Sequence, residues 1–585
     1  MLLGPMGARR LAMRRWMVIH PLWLLIALLI AACSSTPSGA SQQGQDGGKS
    51  GGVKRITAAI RSAPASLAQQ RTQRPDNTVR GLDAVEDLLH AGLTMVKDDG
   101  TRVPLLAQEV PTLENGLWRV YADGRMEMTW TIKPNARWQD GAPVTADDLL
   151  FAATVERDRD LPIPPYPEYE MIEAITAIDS NTIVVHWRRP YVEADGLFSY
   201  RAAALPLPKH LLQDAHTEDK MGFLGLPYWS EGYVGAGPFK LREWVEDSHI
   251  VLVANDQYIF GRPKIDEIEI RFIPDPNALM SSLLAGLDMT LGKTLSLDQA
   301  LQIKEQWQEG AIALRRQSWT SLNPQFINPS PQIIGDARFR RALLSALDRQ
   351  QLSDTVLAGS GAIAHSYVSP DVPLYNIIDP AVVRYNYDPR LAAQAIGRLG
   401  FTRGTDGMFV DASGHRLTIP VYTPVQNDIQ PKTLGAISDM WLQIGVTTDQ
   451  VLIPIQRMQD REYLAQFPGL ELVERPNHLT VQSIRRFHSS QTPLPENGFR
   501  MTGNGARYRS PALDAFIDAY STTIPIQERM EALAGMIHLQ TTGLTQLPLF
   551  YGVEPTMISN RLMNVTPRGA SFTQSWNAAI WDVKG

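Results

Sequence analysis

Residues 235–286, GAGPFKLREWVEDSHIVLVANDQYIFGRPKIDEIEIRFIPDPNALMSSLLAG, spell out a turn, strands and a helix in sequence. Gly235-Ala236-Gly237-Pro238 reads as a tight turn, because glycine accepts positive φ and proline fixes its own. A strand is expected to leave it at once. Ile250-Val251-Leu252-Val253 is a continuous run rich in β-branched residues, the pattern of a strand covered on both faces. In Glu267-Ile268-Glu269-Ile270-Arg271-Phe272 apolar residues alternate with charges, which gives a strand with one wet face. Pro274-Asp275-Pro276-Asn277 breaks that strand. Asn277 is the expected cap of a helix over 278–285, and Gly286 its stop.

The wording of this run is more specific than its pattern. "GAGPFKLREW", "VLVANDQY" and "RPKIDEIEIRFIPDPNALMSSLLAG" resemble the hallmark region of the family 5 extracellular solute-binding proteins, the oligopeptide-, dipeptide- and nickel-binding lipoproteins of bacterial ABC importers. Further segments resemble the same family in order: "HAGLTMVKDDGTRVPLLAQEVPT", "KPNARWQDGAPVTADDLLFAATV", "LPLPKHLL", "IGDARFRRALLSALDRQQLSDTVLAGSGAIAHSYVSP", "NYDPRLAAQAIGRLGF", "MWLQIGVTTDQVLI" and "LPLFYGVEPTMISNRL". The resemblance runs from about Lys54 to the C-terminus.

What it implies is an α/β, two-lobed periplasmic-binding-protein-like fold of type II, peptide-binding class, with an extra domain and a two-strand hinge. On that plan 54–76, 198–312 and 546–585 form discontinuous domain I, 77–197 the extra α/β domain II, and 313–545 domain III, the second lobe. A ligand enclosed between lobes contacts both only when they close, so binding shifts an open-closed equilibrium.

At the N-terminus Arg9, Arg10, Arg14 and Arg15 precede an apolar run from Leu22 to Ala32, about half the ~20 residues that span a bilayer. Residues 1–32 therefore read as a secretory leader. Ile30-Ala31-Ala32-Cys33 resembles a lipoprotein processing site, with Cys33 the lipidated residue; an ordinary leader or a short uncleaved anchor is the other reading. Cys33 is the only cysteine among 585 residues, so no internal disulfide can form. Residues 33–53, mostly Ser, Gly and Gln, read as a flexible tether that holds the body off a membrane.

A body of this length exceeds one hydrophobic core. The chain is 44 % hydrophobic and 20 % charged with a formal net charge of −6, which is globular composition and a poor match for nucleic acid. No Gly-x-Ser-x-Gly elbow, His-Glu-x-x-His helix, Cys-x-x-Cys pair or Walker loop is present. Gly235-Ala236-Gly237 leads into proline and is no dinucleotide loop. No cofactor or metal is expected. Arg55–Ile60 reads as a first strand, 85–93 as a helix, 128–132 and 182–187 as strands. Thr145 reads as an N-cap with Asp147 and Asp148 in the first turn, where the helix dipole favours acid. His186 and His210 are lone histidines without partners at metal spacing, read as structural.

Peptide-binding relatives commonly carry a "gW.aDy.DP" segment whose aspartate meets the peptide's α-amino group. Here the corresponding text is "PGLELVERPNHLTVQSIRRFHSS", without an aspartate; Glu471 and Glu474 belong to the preceding strand. Arg475, Asn477 and His478 occupy that place. Facing the cleft, they favour a ligand with acceptors or negative charge; otherwise they line a surface loop. Arg500, Asn504 and Tyr508 lie near where relatives place another ligand loop. Trp319 and Asn323 are further candidates, with core or hinge packing as their alternative role. The expected function is that of a lipid-anchored, monomeric receptor that hands a peptide or peptide-sized solute to an ABC permease and its ATPase. A sensor or assembly protein on the same fold, or a secreted hydrolase, are the rivals.

Overall fold

Arg55–Ile60 forms a buried strand that pairs in parallel with Glu267–Phe272, from Arg55 opposite Glu267 to Ile60 opposite Phe272. The computed structural model describes residues 52–584 except 69–78, 164–165, 167, 201–203, 426–428, 501–502 and 570–571; the leader, Cys33 and nearly all of the tether lie outside them.

The stretch 235–286 folds nearly as its pattern dictates. Phe239–Val245 and His249–Ala254 make an antiparallel hairpin, and His249–Ala254 pairs in turn with Glu267–Phe272. Two details differ from the sequence reading. Asp275, not Asn277, caps the helix Pro276–Leu284, its carboxylate accepting from Ala278 N at 2.8 Å, while Pro276 takes the first helical position, where its missing N–H costs nothing. Gly286 ends that helix with φ +104°, as expected. Gly235 and Gly237 are not glycines for the sake of positive φ. They are glycines because the turn lies directly on the end of the helix Leu82–Leu89: a Cβ on Gly235 would stand 2.0 Å from Leu89 O, and one on Gly237 2.4 Å from His90 N. Gln139 fastens the contact, donating to Leu89 O and Phe239 O and accepting from Gly235 N. That helix begins and ends earlier than 85–93, since His90 is already extended and Gly92 is pressed against Phe198 and Ser199.

Two strands organise the rest. Gly310–Pro324 and Leu547–Ser559 run antiparallel over almost their full lengths, from Gly310 opposite Ser559 to Leu322 opposite Leu547. At one end Met289 joins the ribbon opposite Ile558 and continues into Arg55–Ile60, Glu267–Phe272, His249–Ala254 and Phe239–Val245. At the other end Leu470–Pro476 pairs with Ser318–Pro324 and continues into Thr418–Pro424 and Thr447–Ile453. The register slips between Arg316 and Ser318 and again between Thr320 and Ser321; such irregularities bend and twist a strand. Separate apolar clusters flank the two ends. Ala59, Leu279, Leu283 and Met557 pack at the first, and Leu322, Leu470, Leu472, Leu547 and Phe550 at the second.

A separate antiparallel sheet is built from Trp118–Val120, Met126–Thr131, Thr182–Trp187 and Ile172–Ala177, in that spatial order. The helix Ala146–Arg157 covers it, and of the two aspartates of its first turn Asp148 acts as a cap. Asp148 accepts from Thr145 N and from the Trp138 indole, and Asp147 pairs with Lys209. Further on, Ala337–Ser345 and Arg349–Leu357 are helices capped by Asp336 and Asp348, with Leu343, Leu344 and Leu347 all buried. Among the described residues, no helix is long and apolar enough to cross a membrane.

Candidate ligand crevice

Strand register assembles one wall of a crevice. Pairing of Gly310–Pro324 with Leu470–Pro476 sets Trp319 opposite Arg475 and Asn323 opposite Glu471. Because side chains alternate along a strand, Trp319, Ser321 and Asn323 share a face with Glu471, Val473 and Arg475. Asn323 is fixed there: its amide donates toward Glu471 Oε2 at 3.4 Å, and its Oδ1 accepts from Ser321 Oγ at 3.1 Å and Gln546 Nε2 at 3.2 Å. Arg475 Nη2 lies 3.9 Å from Glu471 Oε1, at the outer limit of an ion pair.

An aromatic chain forms the second wall. Trp319 meets Tyr367 edge-on at 5.5 Å, and Tyr367 meets Phe487 edge-on at 5.1 Å. Such edge-to-face geometry suits the ring quadrupoles. The Tyr367 hydroxyl donates to His478 O at 2.7 Å. Burial raises the Tyr367 phenol well above its ordinary range, so it stays a neutral donor.

The third wall is the loop before the helix Pro511–Thr522. Asn504 closes it, donating to Tyr508 O at 2.5 Å and accepting from Tyr508 N at 3.1 Å. The Tyr508 ring stands against Phe326 at 4.8 Å. Gly503 lets this loop lie directly on Arg486: a Cβ there would be 2.2 Å from Arg486 Cβ. Burial holds the Arg486 guanidinium below its usual pKa, and the charge of Arg475 pushes the same way.

Trp319, Asn323, Arg475, Asn504 and Tyr508 thus line one crevice, together with Arg486, Phe487, Tyr367 and Gln546. Its free interior is narrow, ≈ 20 Å³ of space for water centres, about the room one water needs. Asn477 and His478 do not line it; Asn477 is buried, and the His478 carbonyl serves Tyr367. Arg500 is exposed and outside the crevice. Glu471 and Arg486 were not singled out by sequence. The signal for Glu471 is its strand register with Asn323, which only pairing reveals; Arg486 sits in a plain basic run with no distinguishing spacing.

The lone histidines have local partners. His210 pairs with Asp140 at 2.7 Å and His186 with Glu127 at 3.6 Å. Among the described residues no group of three or more His, Cys, Asp or Glu could hold a metal ion. What the crevice offers is aromatic faces, amides and guanidinium groups, which is equipment for holding a solute.

Residues 102–468 match the family described as "Bacterial extracellular solute-binding proteins, family 5 Middle". The chain is 24 % identical over 483 residues to the oligopeptide-binding protein AppA of Bacillus subtilis (strain 168), covering 80 % of this chain and 82 % of that one. It is 24 % identical over 361 residues to a probable ABC transporter-binding protein of Deinococcus radiodurans, covering 56 % and 59 %. Among solved structures it superposes on Bacillus subtilis AppA in complex with a nonapeptide at TM-score 0.65 and 19 % identity, covering 91 % of this chain and all of that one. On the periplasmic EDTA-binding protein EppA the TM-score is 0.72 at 16 % identity, covering 91 % and 97 %. These likenesses bear out the two-lobed type II α/β fold.

Proposed function

Because this chain belongs to the family 5 bacterial extracellular solute-binding proteins, we propose that it is the receptor of an ABC importer, capturing a peptide or peptide-sized solute by lobe closure. The observation that carries the reading is the placement of Trp319 and Asn323. They stand on one of the two strands that run from one half of the large sheet to the other, so a solute touching them touches the linkage between the halves. The relatives named above as oligopeptide- or transporter-binding proteins support a peptide ligand and a permease partner.

In this reading 54–76, 198–312 and 546–585 are domain I, 77–197 domain II and 313–545 domain III; the two halves of the large sheet and the separate four-stranded sheet support such a division. All the residues that line the crevice except Gln546 belong to domain III, so it is one lobe's side of the site, and a solute held there meets the other lobe when the two close. The protein binds and releases without turnover. It is exported, processed before Cys33 and held by lipid on that residue, as a monomer.

Native purification followed by mass spectrometry of the released small molecules tests capture, and small-angle scattering with and without the identified solute tests closure. A bound peptide-sized compound and a smaller radius of gyration are expected. An empty protein whose radius ignores every peptide offered overturns the reading. For the anchor, radiolabelled fatty acid is expected on the wild type and not on Cys33→Ser; equal label on both, or none on the wild type, overturns it.

A further inference from the structure

The crevice carries an unbalanced charge. Two of its lining residues, Arg475 and Arg486, are cationic, and no lining residue is acidic. Arg486 Nε is buried and has no hydrogen-bond partner, and among the described residues no carboxylate lies within ion-pair distance of Arg486. Among the described residues Arg475 pairs only with Glu471, at 3.9 Å, and the other oxygen of that carboxylate already faces the Asn323 amide. A mostly buried guanidinium beside a second one, with its Nε–H unsatisfied, raises the free energy of the folded chain. An oxyanion removes that cost, since its paired oxygens fit the guanidinium fork.

Beside these cations stands the aromatic chain of Trp319, Tyr367 and Phe487. We infer that the solute carries an oxyanion group, carboxylate or phosphoryl, next to an apolar or aromatic portion, the anion held between Arg475 and Arg486 and the apolar part against Trp319 and Phe487. This deepens the receptor reading and rests on it. The small free space admits only the anionic tip, so the bulk of the solute lies outside this pocket. A free ammonium group is disfavoured at the same spot.

The test uses the full chain, freed of co-purified solute, with calorimetry and thermal melting at fixed salt. The probes are the tripeptide Ala-Ala-Phe as free acid, the same tripeptide as C-terminal amide, and phenyl phosphate. Free acid or phenyl phosphate is expected to bind at least about ten-fold more tightly than the amide; which of the two binds identifies carboxylate or phosphoryl as the source. Arg486→Gln is expected to abolish that preference while leaving the ligand-free melting temperature unchanged or higher, and Arg486→Lys to keep part of it. Equal binding of acid and amide, a preference that survives Arg486→Gln, or a melting temperature lowered by that substitution overturns the anion site and leaves the receptor standing. If no probe binds and no small molecule co-purifies, both fall.

Discussion

The backbone N–H of Val481 donates to Oε1 of Glu193 at 2.9 Å, joining the segment after the four-stranded sheet to the start of the helix Val481–Arg485, which leads into Arg486 and Phe487. Nearby, Arg529 donates to Val192 O, and the single hydroxyl of Tyr191 lies 3.0 Å from Glu193 and 2.7 Å from Glu168. One proton cannot serve two carboxylates. Burial first, then the charges of Glu168 and Asp195, raise the Glu193 pKa, while Val481 N–H and the Tyr191 hydroxyl oppose the shift. A carboxyl whose folded pKa is raised contributes most below its unfolded value of 4.5, and that contribution is lost as pH rises through the folded value. Glu193→Gln keeps an acceptor for Val481 without the buried charge. Its melting temperature relative to wild type is expected to climb as pH goes from about 4.5 to neutral; a gap that stays flat, or shrinks, would show that Glu193 is not the titrating group.

Arg340 is buried and, among the described residues, forms no ion pair; it donates instead to Leu544 O at 2.9 Å, Gly543 O at 2.6 Å and Ile334 O at 2.7 Å, closing the end of the helix Ile526–Gly543. Burial lowers its pKa to about 10, so it remains charged at neutral pH. Arg340→Met strands three carbonyls. A loss of about 3 kcal/mol is expected in denaturant unfolding.

Glycines of opposite kinds provide a paired test. Gly235→Ala drives a methyl into Leu89 O and is expected to cost roughly 1–3 kcal/mol. Gly397, inside the helix Pro389–Arg398, has nothing within 4 Å of a built Cβ, and Gly397→Ala is expected to add about 0.5–1 kcal/mol. Unfolding midpoints of the two single variants read both signs.

Trp319 is 3 % exposed and sits in an apolar cluster with Tyr367, Ile484 and Tyr551. Trp319→Ala is expected to cost about 3–5 kcal/mol and to weaken solute binding. Trp319→Phe keeps the edge-on contact and most of the stability. If binding is lost in Trp319→Phe at unchanged melting temperature, the indole itself meets the solute.

The order of elements around 235–286 was legible because glycine, proline and alternation act locally. What escaped were reasons that depend on distant chain. Gly235 and Gly237 looked like turn residues until Leu89 was placed against them, and Asp275 displaced Asn277 as cap because Pro276 suits the first helical position. The crevice was half legible. Trp319, Asn323, Arg475, Asn504 and Tyr508 meet in it, whereas Asn477 and His478, two and three residues beyond Arg475, leave the strand before they can follow its face. Glu471 was set aside as merely the preceding strand, and that strand is what carries it opposite Asn323.

The slips of register in Gly310–Pro324 flank Trp319 on both sides. Under the proposed closure, the residue that feels the guest therefore sits between the two bends of the axle. A change of taste made there is also a change in how the jaws swing, so new specificities should arise more readily from the outer loop around Asn504 and Tyr508, which can be rewritten without disturbing the movement.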